Sequence, residues 1–218
     1  GTNQVRAPQG VAVDQNGNLY VADTGNGRVM RFNGGTPGAG VVIATNGTAS
    51  GQVTSPRGLA VNEVFTLYVT DESASRIMRI SNAHTTVSGT SGTMQATLGT
   101  ALNRVKNPQG VAVDEAGNVY VADTGNSRIL RWANGNPNNS TALALLGSGL
   151  GQVNKAEGVS VNQFFSGPFA NQSLLVVGDT LNNRVQCRLI PTGGWALLGS
   201  PNGVGGGVGQ FRAPSKVR

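Results

Sequence analysis

Acidic and basic residues recur at a fixed spacing along this chain, and they are the residues best suited to do chemistry. Four aspartates are each followed, five residues later, by an arginine. The pairs are Asp23 and Arg28, Asp71 and Arg76, Asp123 and Arg128, and Asp179 and Arg184. A carboxylate beside a guanidinium suggests acid–base catalysis, but a pair present in four segments indicates a charge-assisted bond that holds a turn or joins neighbours. We therefore predict that these eight residues are structural.

A second set of cations lies in the connections that enter the first strand of a repeat. Lys and Arg total 16 against 10 Asp and Glu, which gives a net charge of +6. The cations of this set are Arg6, Arg57, Arg104, Lys106, Lys155 and Arg212. Gathered on one face they would attract an anionic partner, whereas scattered they would form a solvated rim. We predict them as binding residues, with the solvated rim as the alternative.

The sequence gives little support for a metal site or for a nucleophilic catalytic residue. The chain has one histidine, His84, and one cysteine, Cys187. Zinc sites need clustered His, Cys or carboxylate ligands, so we expect no metal and no cofactor. Cys187 lies in the run Arg184-Val185-Gln186-Cys187-Arg188-Leu189 and is predicted to be a buried strand residue. The chain is predicted not to be an enzyme.

Nearly the whole chain consists of four copies of one segment. Gly10, Gly58, Gly110 and Gly158 begin equivalent runs and are separated by 48, 52 and 48 residues. Self-similarity at such a period is typical of propellers and other repeat folds. We predict one domain over residues 1–218, with repeats at approximately 8–55, 56–107, 108–155 and 156–213.

Each copy reads as four short strands. The first is Gly-Val-Ala-Val in copies one and three, the second ends at the recurring aspartate, and the third begins at the recurring arginine. A looser apolar run completes each set. β-Branched and aromatic residues separated by Gly and Asn, with no helical period, predict an all-β fold. A fragmentary β-sandwich is the alternative to a propeller.

The runs Gly10–Asp14 with Leu19–Val29, and Gly110–Asp114 with Val119–Ile129, closely resemble the NHL repeat. This resemblance implies a β-propeller of four-stranded antiparallel blades that serves as a binding scaffold. NHL propellers commonly close with six blades, and four repeats are visible, so we expect a larger or assembled ring. A related propeller enzyme, the peptidyl-amidoglycolate lyase, holds zinc through histidines that have no counterparts in this chain.

The fourth repeat departs from the pattern by an insertion of eight residues. It contains Phe164, Phe165 and Phe169 around Gly167-Pro168. Exposed aromatic residues suit a partner contact, and folding back over the blade edge is the alternative. Deletion of residues 163–170 is expected to leave the fold intact.

These observations favour a non-enzymatic scaffold that binds a protein, a glycan or copies of itself. Binding of single-stranded RNA through the basic face is an alternative, although no aromatic residues alternate with the cations as RNA stacking requires. A larger enzyme with its catalytic residues elsewhere is a second alternative.

The location of the protein is suggested by its composition. Few lysines and four Asn-x-Ser/Thr sequences favour an extracellular protein. No apolar run reaches the roughly 20 residues of a membrane span.

Overall fold

The computed structural model describes residues 4–36, 38, 40–86, 92–97, 99–164, 172–198 and 211–215. The chain divides into two compact units, Gly1–Gln109 and Gly110–Arg218. Each unit contains two twisted sheets, which we call blades 1 and 2 in the first unit and blades 3 and 4 in the second.

The first unit is built from nine strands. Neighbouring strands of each blade are antiparallel, except that the short β5 pairs in parallel with β4. Blade 1 comprises β1 (Gly10–Val13), β2 (Leu19–Asp23), β3 (Arg28–Phe32), β4 (Gly40–Asn46) and β5 (Gln52–Val53). Blade 2 comprises β6 (Pro56–Val61), β7 (Leu67–Asp71), β8 (Arg76–Ile80) and β9 (Gly92–Ala96).

The second unit repeats this plan. Its strands are again antiparallel, apart from the parallel pair of β13 and β14. Blade 3 comprises β10 (Val111–Val113), β11 (Val119–Asp123), β12 (Arg128–Trp132), β13 (Ser140–Leu146) and β14 (Gln152–Val153). Blade 4 comprises β15 (Gly158–Gln163), β16 (Ser173–Asp179), β17 (Arg184–Ile190) and β18 (Trp195–Leu198).

Helical structure in the described residues is confined to 3-10 turns of three residues. Three of them join the second strand of a blade to its third, and two follow the third strand. The turns are Thr24–Asn26, Asn33–Gly35, Thr124–Asn126, Ala133–Gly135 and Thr180–Asn182. None of the helices in the described residues is long and apolar enough to cross a membrane.

A polar side chain closes the turn between the first two strands of blade 1. The Asp14 carboxylate accepts hydrogen bonds from the backbone N–H groups of Asn16 and Asn18, each at 2.9 Å, as Asp does in turns. The Tyr20 hydroxyl donates to the same carboxylate at 2.8 Å. Burial raises the pKa of Tyr20, and the hydrogen bond to Asp14 raises it further. Asp114 and Tyr120 repeat the contact in blade 3 at 2.9 Å.

Each unit has its own apolar core between its two blades. In the first unit, Tyr20, Val29 and Ile43 of blade 1 pack with Leu67 and Met78 of blade 2. In the second unit, residues of blade 3 such as Tyr120 and Ile129 pack with Leu175 and Val177 of blade 4. Burial of a sheet on its neighbour is how propeller blades are stabilised. The prediction of an all-β fold made of propeller-type blades is confirmed.

Two glycines allow the first strands of neighbouring blades to meet. A Cβ atom added to Gly110 would lie 2.6 Å from the carbonyl oxygen of Glu157 and 3.0 Å from the backbone nitrogen of Val159. Gly10 lies against the backbone of Arg57 in the same way. Only a residue without a side chain fits these positions.

Candidate binding face

The recurring aspartates are completely buried at the end of the second strand of every blade. Each accepts a hydrogen bond from the Nε of the arginine that begins the third strand. The distances are 2.6 Å for Asp23 and Arg28, 2.9 Å for Asp71 and Arg76, 2.6 Å for Asp123 and Arg128, and 2.7 Å for Asp179 and Arg184. The two residues of each pair are directly opposite in the strand ladder.

In blades 1, 2 and 4 the same carboxylate also holds the segment that leads into the blade, which we call the lead-in segment. The backbone N–H of Arg6 donates to Asp23, that of Ser55 to Asp71 and that of Asn154 to Asp179, each at 2.7 Å. Asparagines of the following turns, Asn26, Asn126 and Asn182, donate to the aspartates of blades 1, 3 and 4. One carboxylate thus ties two strands, a turn and the lead-in segment together.

The surroundings of Asp23 change the pKa of its carboxyl group in two opposing ways. Burial acts to raise its pKa, because it penalises the charged form. The hydrogen bonds from the Arg6 backbone, Asn26 and Arg28 outweigh burial and hold the pKa of Asp23 below its ordinary value. The carboxylate is therefore charged in the folded protein at neutral pH.

The partner arginines reach into the connection from the preceding blade. Arg76 donates to the carbonyls of Gly47 and Gln52, both at 2.8 Å. Arg184 donates to the carbonyls of Ser148 at 2.6 Å and of Gly149 at 2.7 Å. These guanidinium groups join the two blades of a unit. That the pairs act in stability rather than in ligand binding stays a prediction.

The six cations predicted as binding residues differ in exposure. Arg57 is half-buried on β6, where its Nε lies 2.6 Å from Glu72. The other five are exposed: Arg6, Arg104, Lys106 and Lys155 lie in lead-in segments, and Arg212 lies after blade 4 in the run Arg212-Ala213-Pro214, which repeats Arg6-Ala7-Pro8. Arg104 also donates to the Thr97 hydroxyl at 2.9 Å.

The backbone beside these cations has a recurring conformation. Ala7, Asn107, Lys155 and Ala213 adopt φ values of 44°, 43°, 48° and 44°, in the left-handed region that residues other than glycine seldom occupy. The backbone N–H of Asn107 donates to Ser75 at 3.1 Å, and that of Ala213 donates to Asn183 at 2.9 Å. The turns after the second strands therefore fix the lead-in backbone.

The predicted aromatic cluster of blade 4 is only partly within the described residues. Phe164 is half-buried, and its backbone N–H donates to the Gln172 carbonyl at 2.9 Å, which extends the hairpin of β15 and β16. Phe165 and Phe169 lie outside the described residues.

The residues considered for catalysis have other surroundings. The His84 ring lies 4.0 Å from that of Phe65. Cys187 is buried on β17, and burial raises the pKa of its thiol. Among the described residues, His, Cys, Asp and Glu form no group of three or more that could hold a metal ion.

One polar network was missed by sequence reasoning. Arg57 contacts Glu72, and Gln109 accepts from Arg57 and donates to Glu72, each at 3.1 Å. The alignment of the repeats contains the substitutions that indicate this network. Arg57 and Glu72 replace Gln9 and Thr24 of the first repeat, so a charged pair appears at two positions that are uncharged there.

Comparison with known proteins supports the repeat assignment. The NHL repeat model matches residues 6–32 and 106–132. No curated protein matches the chain. A chain of a nidogen/laminin complex superposes with a TM-score of 0.65 and 21% identity, over 84% of this chain and 60% of that one. A streptogramin B lyase structure gives a TM-score of 0.62 and 14% identity, over 88% of this chain and 54% of that one.

This chain thus spans little more than half the length of those two structures. At these identities the likeness concerns the fold alone. The matched segments are the ones that carry the Asp–Arg pairs of blades 1 and 3. The chain thus contains NHL repeats at residues 6–32 and 106–132, and its four sheets are blades of the β-propeller type.

Proposed function

We propose that this protein is a non-enzymatic scaffold that binds an acidic partner protein through the exposed cations of its lead-in segments. The observation that carries the proposal is a division among the basic residues. The arginines of the Asp–Arg pairs are engaged inside the blades, whereas Arg6, Arg104, Lys106, Lys155 and Arg212 are exposed.

The distribution of acids supports the same proposal. Exposed Glu63 and Glu115 lie in the turns between first and second strands. The lead-in segments are held at the opposite end of the second strands, beside the buried aspartates. At that end Glu72 is paired with Arg57, and Glu157 is half-buried. Each unit therefore presents an excess of exposed positive charge there, which favours encounter with an acidic surface.

The two similar structures support the proposal only by analogy. One was solved in a nidogen/laminin complex, which is consistent with a protein partner. Another is a streptogramin B lyase. We propose no catalytic role for this chain, because its recurring aspartates and arginines are engaged with one another and the His84 ring packs at a tilt against Phe65.

The test compares three anionic probes on three proteins: wild type, a five-site variant and a control variant. Labelled polyglutamate represents an acidic protein, a heparin fragment represents a glycan, and oligouridylate represents single-stranded RNA. The five exposed cations are replaced by Gln in one variant, and Arg188→Gln, on β17, is the control. We expect wild type to prefer polyglutamate and the five-site variant to bind it at least about tenfold more weakly. Tighter binding of heparin or RNA, or no binding of polyglutamate, would contradict the proposal.

Self-association is a second candidate, favoured by the outer face of blade 1. Val11 is 39% exposed and Val13 61% exposed, whereas the equivalent Val111 of blade 3 is only 6% exposed. Apolar residues exposed side by side on a strand suit a protein contact. Other copies of the chain are the partner we propose for this face.

We also propose an extracellular location. Three of the Asn-x-Ser/Thr asparagines, Asn46, Asn138 and Asn139, are exposed and therefore accessible to glycosylation. Secretion from a eukaryotic host followed by glycosidase treatment and mass spectrometry tests this. Glycans on these asparagines would support the proposal, and their complete absence would count against it.

A further inference from the structure

The connection between the two blades of each unit has the same backbone in both units but different side chains. In the first unit Gly47 and Gly51 have φ values of 142° and 77°, and in the second unit Gly147 and Gly151 have values of 154° and 76°. The glutamine that follows, Gln52 or Gln152, accepts from the backbone N–H of residue 49 or 149 in both. The two connections can therefore be compared residue by residue.

Polar residues of the first unit are replaced by leucines in the second. Asn46, Ser50 and Ser73 are exposed around the connection of blades 1 and 2. Their counterparts around the connection of blades 3 and 4 are Leu146, Leu150 and Leu181, which are 64%, 57% and 53% exposed. Polar residues are present at the equivalent positions of the first unit, where the connection has the same backbone conformation. Leucines are therefore not required at these positions for the fold.

Hydrogen bonds bring the three leucines to one place. The Leu181 backbone N–H donates to the Asn154 carbonyl at 3.1 Å, and Asn182 donates to the Gly147 carbonyl at 2.8 Å. Arg184 holds Ser148 and Gly149 in the same connection. Strand alternation places Leu146 on the same face of β13 as Ala144, which is part of the core shared with blade 4.

An aromatic side chain borders this group. A Cβ atom on Gly151 would lie 2.7 Å from the Trp195 ring, which is half-buried. In the first unit Gly51 has the backbone of Gly92 as its neighbour instead. Tryptophan is enriched at the centre of protein interfaces, and contiguous exposed apolar side chains mark interaction sites. We call Leu146, Leu150, Leu181 and Trp195 the leucine patch.

Two exposed cations flank the patch. Lys155 follows Asn154, whose carbonyl binds the Leu181 backbone. Arg212 precedes Ala213, whose N–H donates to Asn183 at 2.9 Å. The acids nearby are Asp179, which is buried and paired with Arg184, and Glu157, which is half-buried. The rim of the patch is therefore positive.

We infer that the leucine patch is a docking site for a segment of a partner protein that carries large apolar side chains flanked by Asp or Glu. Apolar side chains of the partner would cover the leucines and Trp195, and its acids would meet Lys155 and Arg212. This inference rests on the proposed function and adds the surface and the sequence character of the partner.

A displayed library of random 12-residue peptides tests the inference, with the 218-residue chain as bait. The variant Leu146→Asn, Leu150→Ser, Leu181→Ser restores the polar residues of the first unit. Leu102→Ser, an exposed leucine of the first unit, is the control. Both variants are expected to keep the wild-type melting temperature. We expect enriched peptides to combine large apolar residues with Asp or Glu and to bind the triple variant at least about tenfold more weakly than wild type or the control.

Three outcomes would overturn the inference. They are the absence of enriched peptides, enrichment of Lys- or Arg-rich peptides, and peptides that bind wild type and the triple variant equally. A wild-type dimer that the triple variant converts to monomers would also overturn it and would assign the patch to a second copy. Polyglutamate binding distinguishes the two proposals, because the triple variant keeps all five exposed cations. If wild type and the triple variant both bind polyglutamate but the peptides give one of these outcomes, the scaffold proposal stands while the patch fails.

Discussion

At the scale of residues, each buried aspartate accepts hydrogen bonds from more parts of the structure than its spacing to the paired arginine indicates. Asp71 accepts from the Thr54 backbone at 3.0 Å, from the Thr54 hydroxyl at 2.8 Å and from Arg76. A buried carboxylate that loses charge-assisted bonds leaves its donors without equally strong partners. These residues are therefore the points at which single substitutions act most strongly.

Single Asp→Asn changes at positions 23, 71 and 123 are expected to lower the free energy of unfolding by about 1–3 kcal/mol. The reason is that an amide accepts weaker hydrogen bonds than a carboxylate and places donors against donors. Urea unfolding measures the effect, and Glu63→Gln, an exposed site, is the control. Loss of partner binding with an unchanged unfolding free energy would show that the aspartate belongs to a binding site instead.

The pKa values of Asp23 and Asp14 predict the direction of the pH dependence. Burial opposes ionisation at both sites, but hydrogen bonds outweigh it and place both pKa values below the ordinary range. A carboxyl with a lower pKa when folded stabilises the protein above its unfolded pKa of roughly 4, and this contribution is lost as pH falls through the folded pKa. The unfolding free energy of wild type should fall as the pH is lowered from 6 to 2. That of the Asp23→Asn variant should fall less over the same range. An equal fall in both proteins would contradict this assignment.

The sequence predicted these residues because they recur, but it did not predict all of their partners. The spacing of Asp and Arg indicated a pair, and both are present in the ladder. The bonds from Arg76 to the carbonyls of Gly47 and Gln52 depend on how one blade packs on the next. Backbone acceptors leave no signature in the side-chain pattern.

At the scale of elements, close approach of the first strands determines which glycines can change. Gly110→Ala is expected to destabilise the protein by about 1–3 kcal/mol, because its Cβ would meet the backbone of Glu157 and Val159. Gly194→Ala is the control, since no atom lies within 4 Å of its Cβ position. Thermal unfolding compares the two. Equal melting temperatures would show that the strands can separate without cost.

The insertion of blade 4 offers a second test at this scale. The Phe164–Gln172 bond continues the hairpin of β15 and β16. Replacing residues 165–171 with Asn-Gly, a favoured two-residue hairpin turn, should therefore leave the fold intact. Circular dichroism and thermal unfolding provide the measurement, with wild type as reference. Global unfolding of the variant would show that the insertion belongs to the core.

The strand pattern predicted the first three strands of each blade well, because their alternation and turn residues are strong. It did not predict β5 and β14. Each contains only Gln and Val, and a run of two residues carries no period. Their parallel pairing with the fourth strand depends on the glycine-rich connection, whose path the sequence does not determine.

At the scale of the whole molecule, the exposed face of blade 1 predicts association. Val13 is 61% exposed on β1, whereas its equivalent in blade 3, Val113, is half-buried. Light scattering of the purified chain should show mass that rises with concentration, and Val13→Lys should reduce it. A monodisperse wild-type monomer that binds no dye for exposed apolar surface would contradict self-association.

The central claim is that the two sets of cations have separate roles. Arg76, with a side chain only 4% exposed, donates to the connection between blades 1 and 2, whereas we propose that the exposed cations bind the partner. Unfolding free energy and polyglutamate affinity measured on the same samples test this most directly. Arg76→Gln should lower stability and, while folded, keep wild-type affinity. The variant with Gln at positions 6, 104, 106, 155 and 212 should lose affinity and keep its stability. If Arg76→Gln weakens binding while the five-site variant does not, the account is wrong.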